Sequence, residues 1–161
     1  MKKYEFTGET KVIAGVTLKR IRALISFGFI VKGEIGGFIE SEKNLSHDGD
    51  AWVADNAWVT DNARVTGNAW VTGDAWVAGN ARVAGNADCM LIGRIGSRSD
   101  FTTFFKNKDG GISVRCGCFY GTIEEFREKV EETHGTDTKH AKVYQAAANL
   151  AEMQILEQEA E

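Results

Sequence analysis

Proline is absent from the 161 residues, where about 5% is ordinary. With 43% hydrophobic and 26% charged residues, the remaining composition is globular, so collagen and disorder are excluded. Long apolar runs are missing too. None reaches the roughly 20 residues of a membrane span, and MKKYEFTGET carries no apolar leader region. The expectation is a cytoplasmic protein with no membrane partner. Cysteine is sparse and odd in number, at three, which points to reduced thiols rather than a disulfide framework. Basic excess is lacking as well. A net charge of −4 leaves no surplus of cations to displace counterions from phosphates, which excludes a general nucleic-acid binder. What the chain does have is glycine, 18 residues of it, and four tryptophans that all fall between positions 52 and 76.

The tryptophans belong to a repeat. From residue 51 the chain reads AWVADN AWVTDN ARVTGN AWVTGD AWVAGN ARVAGN, six hexads without a break. In each Ala-x-Val triplet the outer two side chains share one face and the middle one takes the other. The apolar Ala and Val therefore fill a core, and the middle residue faces outward. The next three residues turn the corner, with Gly or Asp and then Asn, which tolerate positive φ. The middle positions read Trp52, Trp58, Arg64, Trp70, Trp76, Arg82, a second period of eighteen. That predicts a triangular parallel β-helix with Trp70 over Trp52, Trp76 over Trp58 and Arg82 over Arg64. Leu45 and Ile39 extend the alanine position backwards by one and two hexads.

On either side the pattern changes. Residues 1–32 alternate apolar and polar between glycines, which predicts a β cap on the first coil. Residues 33–95 are assigned to the β-helix, with ADCMLIGRIG closing it. Residues 96–161 are read as a ββαα unit: a hairpin of FTTFF and ISVRCGCFY around the DGG turn, then two helices. Thr122 and Glu125 form a capping box for the first, which buries Ile123, Phe126 and Val130 and ends at Gly135. The second, about 138–157, buries Val143, Ala147, Leu150 and Met153, and EQEAE is expected to fray.

The motif V-[AT]-[DG]-[ND]-A-x resembles the repeat of left-handed parallel β-helices, and the left hand is taken from that resemblance. Such proteins pack as trimers along their faces, which implies a homotrimer here. Over nearly its full length, through GGFIESEKNLS, the AWV–DN array, IGSR, TTFF, CGCFYGT and ETHG, the chain is similar to phage- and prophage-encoded hexapeptide-repeat proteins. That implies a phage origin, residence in the host cytoplasm, and an accessory role such as sequestering a nucleotide-derived defence signal.

Several constellations carry chemistry. Trp52, Trp58, Trp70 and Trp76 form outward aromatic ranks that suit sugars or bases, but exposed apolar ladders on a repeat more often mark a subunit interface, and that reading is taken. Gly96, Ser97, Arg98, Thr102 and Thr103 gather amides, hydroxyls and a guanidinium near a hairpin, with Arg115 on the facing strand. With His134, they make the candidate site for a phosphorylated or nucleotide-like ligand. Cys116 and Cys118, one strand face apart, could join Cys89 and His134 in a zinc site; buried thiols are the preferred reading, and no metal or cofactor is assigned. His47 matches the general base that the resemblance to hexapeptide acyltransferases implies, although the long coil run and acyl-CoA loop of those enzymes are missing. The expectation is a non-catalytic, ligand-binding oligomer. A coenzyme-A-dependent acyltransferase using His47 and a structural or protein-interaction module stand as alternatives.

Overall fold

The computed structural model describes residues 1–157. The chain divides into two compact units, Met1–Asn86 and Ala87–Glu161.

The first unit opens with a hairpin of β1 (Tyr4–Ile13) and β2 (Val16–Ala23). Ala14 and Gly15 join them at φ 50° and 80°, the left-handed pair that a two-residue hairpin turn needs to match strand twist. Next come β3 (Ile35–Ile39) and six two-residue strands: β4 (Trp52–Val53), β5 (Trp58–Val59), β6 (Arg64–Val65), β7 (Trp70–Val71), β8 (Trp76–Val77) and β9 (Arg82–Val83). β4 pairs with β7, β5 with β8 and β6 with β9, all parallel and eighteen residues apart. Trp52 thus lies beside Trp70, Trp58 beside Trp76 and Arg64 beside Arg82. Every hexad alanine and valine from Ala51 to Val83 is buried, at no more than 2% exposure. In the first five hexads the corners are made at one position. Asp55, Asp61, Gly67, Gly73 and Gly79 all sit at φ between 54° and 63°. Where that residue is aspartate its carboxylate also accepts from the corner eighteen residues on: Gly73 N–H to Asp55 and Gly79 N–H to Asp61, both 3.0 Å.

The expectation of a left-handed parallel β-helix is corrected by the sheet topology. The parallel ladders are two residues long, and no closed or solenoid sheet is formed among the described residues. β5 and β8 belong to a five-stranded mixed sheet in the order β1-β2-β3-β5-β8, in which the long β1 and β2 and their contact with β3 are antiparallel. β4–β7 and β6–β9 are separate two-stranded pairs. The residues read as a cap instead extend a sheet edge through the β2–β3 pairing. The backward extension of the repeat is also shifted. Ile39 pairs with Val59 and Leu45 bridges to Val65, a spacing of twenty. Both therefore take the valine position, because Leu45 and Val53 are eight residues apart where the repeat has six, so the two extra residues lie in the connection between them.

The second unit contains β10 (Cys89–Ile95), β11 (Asp100–Lys106), β12 (Ile112–Cys116) and β13 (Phe119–Thr122) in one antiparallel sheet of that order. α1 (Ile123–His134) and α2 (Lys139–Ile155) follow. The segment expected to close the repeat array is therefore the first strand of this sheet, and the flank is ββββαα. Phe104, Ile112 and Val114 from the sheet meet Ile123, Phe126 and Val130 of α1 and Ala141, Tyr144, Ala147, Ala148, Ala151 and Ile155 of α2 in one core. Phe126 sits at its centre, edge-on to both Phe104 and Tyr144.

Thr122 caps α1 by accepting the Glu125 N–H at 3.2 Å, and Gly135 ends it at φ 77°. α2 is rotated from the expected stripe: Tyr144 and the alanines face in, whereas Leu150 and Met153 are 48% and 59% exposed. Residues 158–161 of the EQEAE tail lie outside the described residues. No helix among the described residues is long and apolar enough to cross a membrane.

Candidate ligand pocket

A pocket of about 220 Å³ opens in the second unit. The turn between β10 and β11 brings Ser97 and Arg98, with Asp100 at the start of β11. The β12–β13 hairpin supplies Cys116, Gly117, Cys118 and Phe119. One face of α1 supplies Phe126, Lys129, Val130, Thr133 and His134, spaced as neighbours on a helix surface, and Tyr144 comes from α2.

The floor is aromatic and the rim is charged. Tyr144 lies edge-on to Phe126 and stacks with His134, ring centroids 5.8 Å apart in each case. Its hydroxyl is seated against Gly96, whose φ of 80° and missing side chain leave that space; a methyl there would overlap the phenol oxygen. Burial pushes the Tyr144 phenol above its ordinary range, as does the Cys116 thiol to which it is hydrogen-bonded, and Arg98 pulls it back. Gly117, at φ 57°, keeps an open approach for the Arg98 guanidinium: a Cβ there would stand 3.4 Å from one of its nitrogens. Arg98 and Lys129 are cations at the rim, against one carboxylate, Asp100.

The residues singled out from the sequence divide. Ser97, Arg98 and His134 line the pocket. Thr102 lies beneath it, buried, with its hydroxyl 3.3 Å from the Cys116 sulfur. Thr103 and Arg115 pair across β11 and β12 but, by strand alternation, turn to the other face, where the Arg115 guanidinium lies over Tyr120 at 5.7 Å. They are not part of the pocket. Lys129, Phe119 and Tyr144 escaped the sequence reading. Lys129 was within reach of it, because it stands three residues after Phe126 and one before Val130, on the edge of the stripe already recognised.

The cysteines do not form a metal site. Gly117 and Cys118 form the hairpin turn, so Cys118 leaves the strand face of Cys116 and is exposed. Among the described residues no group of three or more His, Cys, Asp or Glu is gathered for a metal ion. Burial, with Asp88 adding to it, pushes the Cys89 thiol up to about 12. His134 makes ring contacts with Tyr144 and His140, and the Cys116 sulfur is engaged by Thr102 and Tyr144.

In the first unit, Trp52 is wholly buried, which withdraws it from any subunit interface. Phe27 covers it edge-on at 5.4 Å, and Gly36 packs so closely that a Cβ would stand 2.7 Å from the indole. Trp58, Trp70 and Trp76 stay half-buried. Trp76 donates to Thr60 at 3.1 Å and lies edge-on to Trp58, over which Lys11 places its ammonium at 4.5 Å.

His47 is not directed inward. Because Leu45 takes the valine position, His47 falls two residues beyond it and stacks on Tyr4 at 4.2 Å. Its Nδ1 accepts the Lys3 N–H at 3.1 Å, and Nε2 is buried without a partner. Burial holds its pKa below the ordinary histidine range. An imidazole whose one acceptor is taken by the backbone and whose other nitrogen is shut from solvent is placed to hold the N-terminus, not to deprotonate a substrate. No protein-family model and no curated protein matches this chain.

Proposed function

We propose that the pocket of the second unit binds a small anionic ligand, phosphorylated or nucleotide-derived, and holds it without reaction. The observation that carries this reading is the pairing of rim cations, Arg98 and Lys129, with an aromatic floor of Phe119, Phe126 and Tyr144. A guanidinium recognises phosphate oxygens two at a time, and aromatic faces take a planar ring. At about 220 Å³ the cavity is smaller than the roughly 300–1,000 Å³ of drug-sized sites. It suits one ring or one phosphate-bearing end. On the resemblance to phage hexapeptide-repeat proteins, the ligand is a nucleotide-derived signal sequestered from host defence in the host cytoplasm.

Isothermal titration with cyclic dinucleotides, ADP-ribose derivatives and nucleoside monophosphates tests the reading. One class is expected to bind, and Arg98→Ala to weaken it by about tenfold to a hundredfold, the loss of a charge-assisted contact. An Arg98→Ala protein that keeps its fold and its affinity overturns the anchor role. His47→Ala should leave binding unchanged. The same proposal makes the protein a homotrimer through Trp58 and Trp76. Native mass spectrometry is expected to show three chains, and a mass of one chain removes that part.

A further inference from the structure

A second cavity lies in the first unit, and its chemistry is different. It holds about 590 Å³ and is lined by Gly28, Phe29, Asp50, Asn68, Trp70, Thr72 and Asn86. No cation is among them. Phe29 is 91% exposed, at the tip of a tight turn that Phe27 and Ile30 close with two reciprocal backbone hydrogen bonds of 3.0 and 2.8 Å. Folding does not account for a large aromatic ring held in water on an ordered turn. Trp70 stands half-buried across the same cavity.

The polar groups complete a set. Asn86 accepts the Trp70 N–H through Oδ1 at 2.8 Å, which fixes its orientation and leaves its amide N–H groups to donate. Asn68 can both donate and accept, Asp50 only accepts, and Thr72 does either. The Asp50 charge is balanced from below. The buried Lys3 ammonium donates to the carbonyls on both sides of it, Gly49 at 3.3 Å and Ala51 at 2.7 Å. Mixed donors and acceptors with balanced charge match hydroxyl groups, each of which is donor and acceptor at once. They do not match phosphate, which needs donors and cations. The apolar C–H faces of a sugar ring lie flat on aromatic rings, and the cavity offers two.

We infer that this cleft is a binding site for a neutral saccharide, with Trp70 and Phe29 as stacking platforms and Asp50, Asn68, Thr72 and Asn86 as hydroxyl partners. It is independent of the anion pocket and rests on other residues.

The test is saturation-transfer NMR of the full chain with a panel of neutral mono- and oligosaccharides, followed by titration of those that bind. Transfer is expected to at least one sugar, with affinity falling about tenfold or more in Phe29→Ser and in Trp70→Ala. Phe29→Ser alters only an exposed tip, so it stays informative if Trp70→Ala fails to fold. Arg98→Ala should leave sugar binding intact, which separates this site from the other pocket. No saccharide bound by the folded protein, binding indifferent to Phe29→Ser, or equal binding of nucleosides in the same cleft would each overturn the assignment. So would loss of the cleft to a second copy of the chain, read as a mass change in Phe29→Ser.

Discussion

Gly96 and Tyr144 behave as a single fitted pair. The residue at 96 must adopt φ 80° and must leave room for a phenol hydroxyl, so only glycine meets both demands. Gly96→Ala is expected to cost about 2–5 kcal/mol, the sum of backbone strain and overpacking. Tyr144→Phe should recover part of it, which a double-mutant cycle in urea would measure. Lys3 is the other residue whose surroundings define it. Burial lowers its ammonium to about 8 from 10.5, partly offset by Asp50 and Asp48. Because the unfolded chain binds the proton more tightly, the contribution of Lys3 to stability is lowest below about pH 8 and rises as pH climbs towards 10.5, while the raised Cys89 thiol works in the opposite direction over the same range. The gain is on the order of 1–3 kcal/mol. The difference in urea midpoint between wild type and Lys3→Met should change in this direction between about pH 7.5 and 10, since the comparison cancels the opposing Cys89 contribution. His47 has the same sign at the acid end. Its stabilisation is present above 6.5 and is lost as pH falls through its lowered value.

Among the elements, the hexad corners divide two effects that are usually mixed. Asp61 supplies both a left-handed φ of 58° and a carboxylate that accepts the Gly79 N–H. Asp61→Gly removes the hydrogen bond but also relieves the Cβ of its left-handed conformation, so it should cost no more than about 0.5–1.5 kcal/mol. Asp61→Ala loses the same hydrogen bond and keeps a Cβ in that conformation, so it should be less stable than Asp61→Gly by about 1–2 kcal/mol. Asp61→Asn should be close to neutral, and thermal unfolding of the three ranks them. These corners and the eighteen-residue pairing were legible because one residue type recurs at each position. The sheets were not. The antiparallel part of the mixed sheet comes from β1 and β2, which reach the repeat only through β3, and their short alternations say that they are strands but not which edge they join. The two-residue shift at Ile39 and Leu45 was hidden in an irregular connection. α2 was misread for a different reason: alanines at 141, 146, 147, 148 and 151 give it more than one acceptable inner face. Tyr144 packing on Phe126 decides between them. The pocket was half legible, since Ser97 and Arg98 announce themselves in one short loop while Lys129 and Tyr144 reach it only through the packing of both helices.

Taken as a whole molecule, the three free thiols report on distinct environments. Cys118 is exposed, Cys116 is partly covered within the pocket, and Cys89 is held at about 12 by burial. Iodoacetamide at pH 8 should therefore label Cys118 first and Cys89 last, since the thiolate is the reactive form. A ligand in the anion pocket should slow Cys118, which intact-mass spectrometry follows directly. The eighteen-residue pairing also limits how such a chain can change length. Deleting one hexad would bring an arginine position beside a tryptophan position. Duplicating three hexads together returns every side chain to a neighbour of its own kind. Natural length variants of this segment should therefore differ in steps of eighteen residues, and a library of insertions should be tolerated at that increment and rejected at six or twelve.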